Sequence, residues 1–165
     1  MLFFSMALKR HQLVFTKLSE CPQFLDTAAE WAEGEWGYIR NMGVEYRKGV
    51  LDSIKEETYI GTYAGRPVAM FVLMQQPAEI TEKKYKPFDS CELMYVYVDK
   101  DYRSLGFGKQ VIQEAKRVTH SLGISSIVLD TLKPNLNSFY KKHDAEVVCE
   151  GSLFSHPTDV HIMRC

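Results

Sequence analysis

The sequence predicts a single mixed α/β domain, and three observations lead there. The chain has 165 residues, the size of one compact domain, and at about 150 residues folding buries roughly 70% of the unfolded chain's surface. Its hydrophobic period changes along the way, helical up to residue 57 and strand-like from residue 58. Over residues 91–132 a strand, a helix and a second strand then follow one another, the order of a right-handed crossover unit with two parallel strands. Residues 1–165 are therefore expected to form one domain with a central mixed sheet flanked by helices.

Each element has its own signal. Residues 12–18 (QLVFTKL) alternate well enough for a first strand, and Pro22 suits the first turn of a helix. Phe24, Leu25, Ala28, Ala32 and Trp36 recur at helical spacing over residues 24–38, and a second helix is expected over 44–57. Residues 58–63 and 67–74 are β-rich runs joined at Ala64-Gly65-Arg66, which reads as a hairpin turn. Residues 77–90 are charged and poor in apolar side chains, so an exposed loop is expected there. Residues 91–98 (CELMYVYV) are apolar on both faces except at Glu92, the pattern of a strand buried between two layers. Phe107, Val111, Ile112, Ala115, Val118 and Leu122 form one face of a helix that Gly123 ends. Residues 125–132 (SSIVLDTL) give the next strand, 136–143 a short helix, and 147–154 with 160–163 a final antiparallel pair.

Composition removes several functions. Lys plus Arg number 20 against 21 for Asp plus Glu, so no overall field draws the chain to nucleic acid or an anionic membrane. No apolar run approaches the roughly 20 residues of a spanning helix. The apolar start, residues 1–8, is followed and not preceded by Lys9 and Arg10, the wrong order for a signal peptide. Cys21, Cys91, Cys149 and Cys165 form no CxxC pair and read as free thiols in a reducing compartment, so a cytoplasmic location is expected. His156 and His161 are five apart around Pro157, which is no helical ligand pair, and no metal site is expected.

The sharpest signal is Arg103-Ser104-Leu105-Gly106-Phe107-Gly108, between the buried strand and its helix. Backbone N–H groups at a helix start lack intrahelical partners and attract anions. Without a Cβ at 106 and 108 a pyrophosphate can approach the backbone, and Arg103 and Lys109 add charge. A plain strand-to-helix turn needing glycine stays open as the simpler reading. A dinucleotide fingerprint also stays open, with Gly106, Gly108 and Asp130 at its positions, although Val111 stands where its third glycine belongs.

Arg103, Gly106 and Gly108 also satisfy Q/R-x-x-G-x-G/A, and with them the chain resembles the Gcn5-related N-acetyltransferases from residue 58 to Phe139-Tyr140. The resemblance implies the GNAT acyltransferase fold: a mixed, mostly antiparallel sheet in which two parallel strands splay apart. It implies acetyl-coenzyme A as cosubstrate, with its pyrophosphate on Arg103, Ser104, Leu105, Gly106, Phe107, Gly108 and Lys109 and its pantetheine arm against the backbone of Val96 and Val98. Two positions depart from the family pattern. Lys133 stands where Asn is frequent, and Asp144-Ala145 replaces Gly-Phe after the short helix.

An amine acceptor has a pKa of about 10.4 and must lose a proton before it attacks. Glu92, the one carboxylate in an apolar strand, is the candidate base, and the resemblance places a similar glutamate there. A charged cap at the strand's solvated start is the other reading of Glu92. The leaving thiolate needs a proton, and by resemblance Tyr140 supplies it. The stretch 20–57 holds nine acidic residues (Glu20, Asp26, Glu30, Glu33, Glu35, Glu45, Asp52, Glu56, Glu57) against Arg40, Arg47, Lys48 and Lys55, with Trp31, Trp36 and Tyr38 among them. Acidic groups beside aromatics suit a cationic amine; a solvated helix face with inward tryptophans explains them as well. The expected activity is acetyl transfer to a primary amine, on a small or aminoglycoside-like molecule ahead of a protein lysine or N-terminus. A non-catalytic acyl-coenzyme A binding module is the alternative of a different class. Whether the chain pairs as a homodimer is left open.

Overall fold

Six successive residues, Val68, Ala69, Met70, Phe71, Val72 and Leu73, are buried, so their strand must have a packed layer against each face. The computed structural model, which describes residues 11–75 and 90–165, shows both layers. The described strands are β1 (Val14–Lys17), β2 (Thr58–Tyr63), β3 (Arg66–Met74), β4 (Ser90–Val98), β5 (Ser126–Thr131), β6 (Ala145–Leu153) and β7 (His156–Arg164). They form one sheet in the order β1-β2-β3-β4-β5-β7-β6, antiparallel throughout except where β4 lies parallel to β5. The expected residues 1–8, and all of the 77–90 loop but Ser90, lie outside the described residues.

Helices α1 (Leu25–Arg40) and α2 (Val44–Ser53) cover one face. Ala28, Ala29 and Ala32 of α1 are fully buried beside Leu51, Ile60, Met70 and Val72. Small side chains let the helix axis sit close to the sheet, and Leu51 fills the space between; Leu51→Ala would cost about 2–5 kcal/mol. Helix α3 (Phe107–Ser121) covers the opposite face, burying Phe107, Val111, Ile112 and Ala115 against Phe71, Leu93 and Ile127. The Gln110 side chain fixes α3 to the chain before β1, accepting from the Leu13 N–H at 2.8 Å and donating to the His11 carbonyl at 2.7 Å. The short α4 (Asn137–Lys141) follows β5 through a 3-10 turn at Pro134–Leu136.

Three bounds differ most from the sequence expectation, two of them through tertiary pairing. Pro22 opens a 3-10 turn (Pro22–Phe24) that leads into α1. Helix α2 ends at Ser53 and not at residue 57: the Glu57 N–H and the Thr58 hydroxyl both donate to the Ile54 carbonyl, and the Leu73 N–H takes the Glu57 carbonyl into the sheet. Strand β7 starts at His156 instead of residue 160, because its polar first residues, 156–158, pair with β6, and from Asp159 on it is paired with β5 as well. Asp144, in place of the family's glycine, adopts φ 66°, and Ala145 behind it is buried.

Candidate active site

Strand β4 runs beside β5 for only part of its length. The parallel register covers residues 90–92 against 126–128, and beyond it the two strands diverge. The divergence begins beside a bulge: four residues of β4, from Met94 to Tyr97, span the same stretch as three of β3, from Met70 to Val72. Tyr95 takes the extra place with φ 50°, a conformation that costs an L-residue about 1–2 kcal/mol. The bulge also resets the alternation. Met94 and Tyr95 both pack towards α1 and α2, and Val96 and Val98 turn to the α3 side.

Between the diverging strands lies a cavity of about 810 Å³. Its walls come from β4 (residues 92–98), β5 with the following turn (129–133), the start of α3, α4, the end of α1 and the β6–β7 turn. The Asp99 N–H donates to the Val68 carbonyl at 2.8 Å, so the alternation of an antiparallel ladder directs the peptide groups of Val98 and Val96 away from β3, towards the gap that β5 has left. The Val98 carbonyl accepts from Arg103 Nε at 2.9 Å. Arg103 is thus folded back onto β4, over the Tyr97 ring at 5.4 Å, where its guanidinium also engages the Tyr97 hydroxyl at the cavity wall.

At the start of α3 the first intrahelical acceptor is the Gly106 carbonyl, bound by the Gln110 N–H, so the N–H groups of 107, 108 and 109 have no carbonyl within the helix. The two glycines answer different needs. Gly106 has φ 83° and open space where a Cβ would stand, and Gly108 lies where a Cβ would come 3.3 Å from the Phe139 ring of α4. Of the residues expected to hold the cosubstrate, Val96, Val98, Arg103, Ser104, Gly106, Phe107, Gly108 and Lys109 line the cavity. Leu105 does not: its side chain is 44% exposed and outside the lining. Phe107 contributes backbone, its ring being buried against Tyr63.

Glu92 and Tyr140 line the same cavity. Glu92 is 2% exposed and sits at the last residue of the parallel register, so it is no solvated strand cap. Tyr140 is buried, packed on Phe139 at 5.1 Å and 5.8 Å from the His161 ring. Burial pushes its hydroxyl well above the usual tyrosine value, which keeps it protonated. No acceptor among the described residues takes that proton. Beneath it runs a polar network. Thr131 Oγ1 donates to Asn137 Oδ1 at 2.7 Å, Asn137 Nδ2 donates to Asp159 Oδ2 at 2.9 Å, and His161 Nε2 lies 3.1 Å from Thr131 Oγ1. The residues that departed from the family pattern find local partners, Lys133 pairing with Glu35 at 3.5 Å.

The sequence reading missed Arg47. It is 5% exposed, and its guanidinium donates to Glu33 Oε2 at 3.2 Å, to the Tyr95 hydroxyl at 2.7 Å and to the Trp36 carbonyl at 2.8 Å. The signal was present: Arg47 and Leu51 share the inward face of α2 at i, i+4 spacing, so an arginine occupies a core position. The acidic stretch, by contrast, contributes only Glu35 to the cavity, whereas Arg40 and Arg47 both line it. Trp31 and Trp36 lie on β4, against Tyr97 at 5.4 Å and Tyr95 at 5.2 Å.

The dinucleotide reading fails on topology, since only one pair of the described strands is parallel and a doubly wound nucleotide fold needs a mostly parallel sheet. No group of three or more potential metal ligands occurs among the described residues, and no described helix is long and apolar enough to cross a membrane. The four cysteines are free.

The sequence profile of the acetyltransferase (GNAT) family matches residues 25–144. No curated protein matches the chain. Among solved structures, an aminoglycoside 6'-N-acetyltransferase complexed with coenzyme A superposes with a TM-score of 0.72 at 14% identity, over 92% of this chain and 96% of that one. Ard1 from Thermoplasma volcanium gives 0.68 at 15% identity, over 92% and 97%. The PaiA N-acetyltransferase from Thermoplasma acidophilum in complex with coenzyme A gives 0.62 at 17%, over 93% and 99%. At these identities the likeness is one of fold.

Proposed function

Because the chain belongs to the acetyltransferase (GNAT) family, we propose that it transfers the acetyl group of acetyl-coenzyme A to a primary amine on a small molecule. The observation that carries this reading is that the loop at the start of α3, residues 93–98 of β4 beyond its pairing with β5, Glu92 and Tyr140 all line one cavity. The pyrophosphate belongs at the start of α3, where the N–H groups of residues 107–109 offer donors and Lys109 and the Arg103 guanidinium offer positive charge. The pantetheine arm belongs in the gap, against the peptide groups of Val96 and Val98, with its thioester directed towards Glu92.

Acetyl transfer there is direct. Glu92 takes a proton from the ammonium form of the acceptor, and the amine lone pair attacks the thioester carbonyl carbon. The attack forms the C–N bond and the tetrahedral intermediate, whose collapse breaks the C–S bond. Tyr140, kept protonated by burial, gives its proton to the departing thiolate and regains one from the nitrogen, which sheds its second proton as the amide forms. A binding module without catalysis would have no use for an ionisable glutamate buried to 2% exposure beside the gap. Four free thiols, two of them buried, support a cytoplasmic location.

Thermal unfolding with acetyl-coenzyme A, coenzyme A and NAD tests the reading. A ligand at about 100 times its Kd stabilises the fold by roughly 2.7 kcal/mol. Stabilisation by the two coenzyme A forms and not by NAD is expected, and the absence of any response to acetyl-coenzyme A would overturn the proposal.

A further inference from the structure

One part of the cavity wall is made by Arg40 and Trp36 of α1, Arg47 of α2 and Tyr95 of β4. A guanidinium that is 5% exposed in the wall of a cavity calls for partners. A guanidinium has five N–H groups, and Arg47 engages three, one each from Nε, Nη1 and Nη2. One N–H on Nη1 and one on Nη2 therefore have no partner among the described residues. The Tyr95 hydroxyl accepts from Arg47 at 2.7 Å, and its own O–H is likewise without an acceptor among them. Burial raises the Tyr95 hydroxyl above its usual value, against the pull of the Arg47 charge, so it stays a donor. Three donors on two touching side chains thus border the cavity.

The charge around them is unbalanced in one direction. Glu33 offsets Arg47, but Arg40 lies beside it: the two guanidinium carbons stand 5.5 and 5.7 Å from the same Tyr46 ring. Two cations against one anion leave one positive charge. Glu35, which also lines the cavity, is paired with Lys133. Paired N–H donors in a fixed fork beside a hydroxyl fit a carboxylate, whose two oxygens accept side by side. Glu92 and Tyr95 are three residues apart on one strand, roughly 10 Å at about 3.3 Å per residue, within which one small molecule can offer an amine to the first and an anion to the second.

We propose that the acceptor is a small amine bearing a carboxylate, an amino acid in the broad sense, and that Arg47 and Tyr95 hold its carboxylate while Glu92 receives the amine. This rests on the acetyltransferase reading above and narrows it away from polycationic acceptors, which this positive charge repels.

The test uses the full chain with saturating acetyl-coenzyme A and follows thiol release with the protein amino acids and 4-aminobutyrate, each as the free acid and as its primary amide, beside spermidine and kanamycin. Free acids are expected to exceed their amides in kcat/KM by at least about tenfold. Tyr95→Phe, which keeps the ring against Trp36, should raise the acceptor KM about tenfold and leave acetyl-coenzyme A affinity within about twofold; Arg47→Met should cost about a hundredfold or more. If Arg47→Met unfolds, the Tyr95→Phe variant and the acid and amide pairs on the unaltered protein decide. Equal response to acid and amide, whether both react or neither does, or a preference for a polycation, overturns the carboxylate assignment while thermal stabilisation by acetyl-coenzyme A still upholds the transferase reading. Loss of that stabilisation in the unaltered protein would remove both.

Discussion

Two side chains carry the proposed chemistry, and each makes a separate prediction. Tyr140 is buried with its hydroxyl pushed up, so its only role in transfer is to donate. Tyr140→Phe keeps the ring on Phe139 and should lower kcat about a hundredfold while acetyl-coenzyme A affinity, read by calorimetry, stays the same; a fully active variant would remove it from the mechanism. Glu92 acts on the acceptor and not on the cosubstrate. Glu92→Gln should depress kcat/KM for the amine by about 10²–10⁴ near neutral pH, and the deficit should shrink as the pH approaches about 10, where the amine sheds its proton unaided. A deficit that is constant across that range would mean that Glu92 positions the acceptor without taking its proton. Both residues stood out in the sequence, Glu92 as a charge in an apolar strand and Tyr140 by family resemblance. Leu105 was also named from the motif; it is exposed and absent from the cavity lining, since a motif spacing does not fix which loop residues border a cavity.

Between elements, the junction of α3 and α4 matters most. Gly108 makes room for the Phe139 ring, so this glycine serves packing as well as the approach of a phosphate. Gly108→Val should therefore weaken acetyl-coenzyme A binding by about tenfold or more and also lower unfolding stability by about 1–3 kcal/mol, because the added carbons press on Phe139 beside Tyr140. Calorimetric titration together with thermal unfolding reads both, and unchanged affinity would refute the loop assignment. The bulge at Tyr95 is the other decisive element feature. It was hidden in a run, CELMYVYV, that looks uniformly strand-forming, since a bulge is defined by register against the neighbouring strand and has no composition of its own here.

At the scale of the molecule, stability should depend on pH through buried histidine. Burial holds the His161 ring below the usual histidine value, against a smaller opposing effect from Asp159, and His143 is lowered as well by burial and by Lys116 and Lys109. A depressed pKa means that the folded state resists protonation. The stability each contributes is present above about pH 6.5 and is lost as the pH falls through the folded pKa, where the unfolded chain binds the extra proton. Unfolding temperature should accordingly fall between about pH 7 and about pH 5, and His161→Gln should flatten part of that slope. An unaltered slope would mean that His161 titrates alike in both states.

Much of this molecule was legible before any coordinates. Periodicity and turn chemistry act over a few residues, so the order of strands and helices, the hairpin at Gly65 and the loop at the start of α3 could be read from residue spacing alone. The cavity could not, because it exists only where β4 leaves β5 after residue 92, and that parting depends on pairing between segments more than thirty residues apart. The charge lining it was not legible for the same reason. Counting residues 20–57 gives an acidic surface, yet packing turns most of those carboxylates elsewhere and seals Arg47 against Tyr95, 48 positions along the chain. Composition records how many charges a segment holds; the fold decides which of them face the ligand.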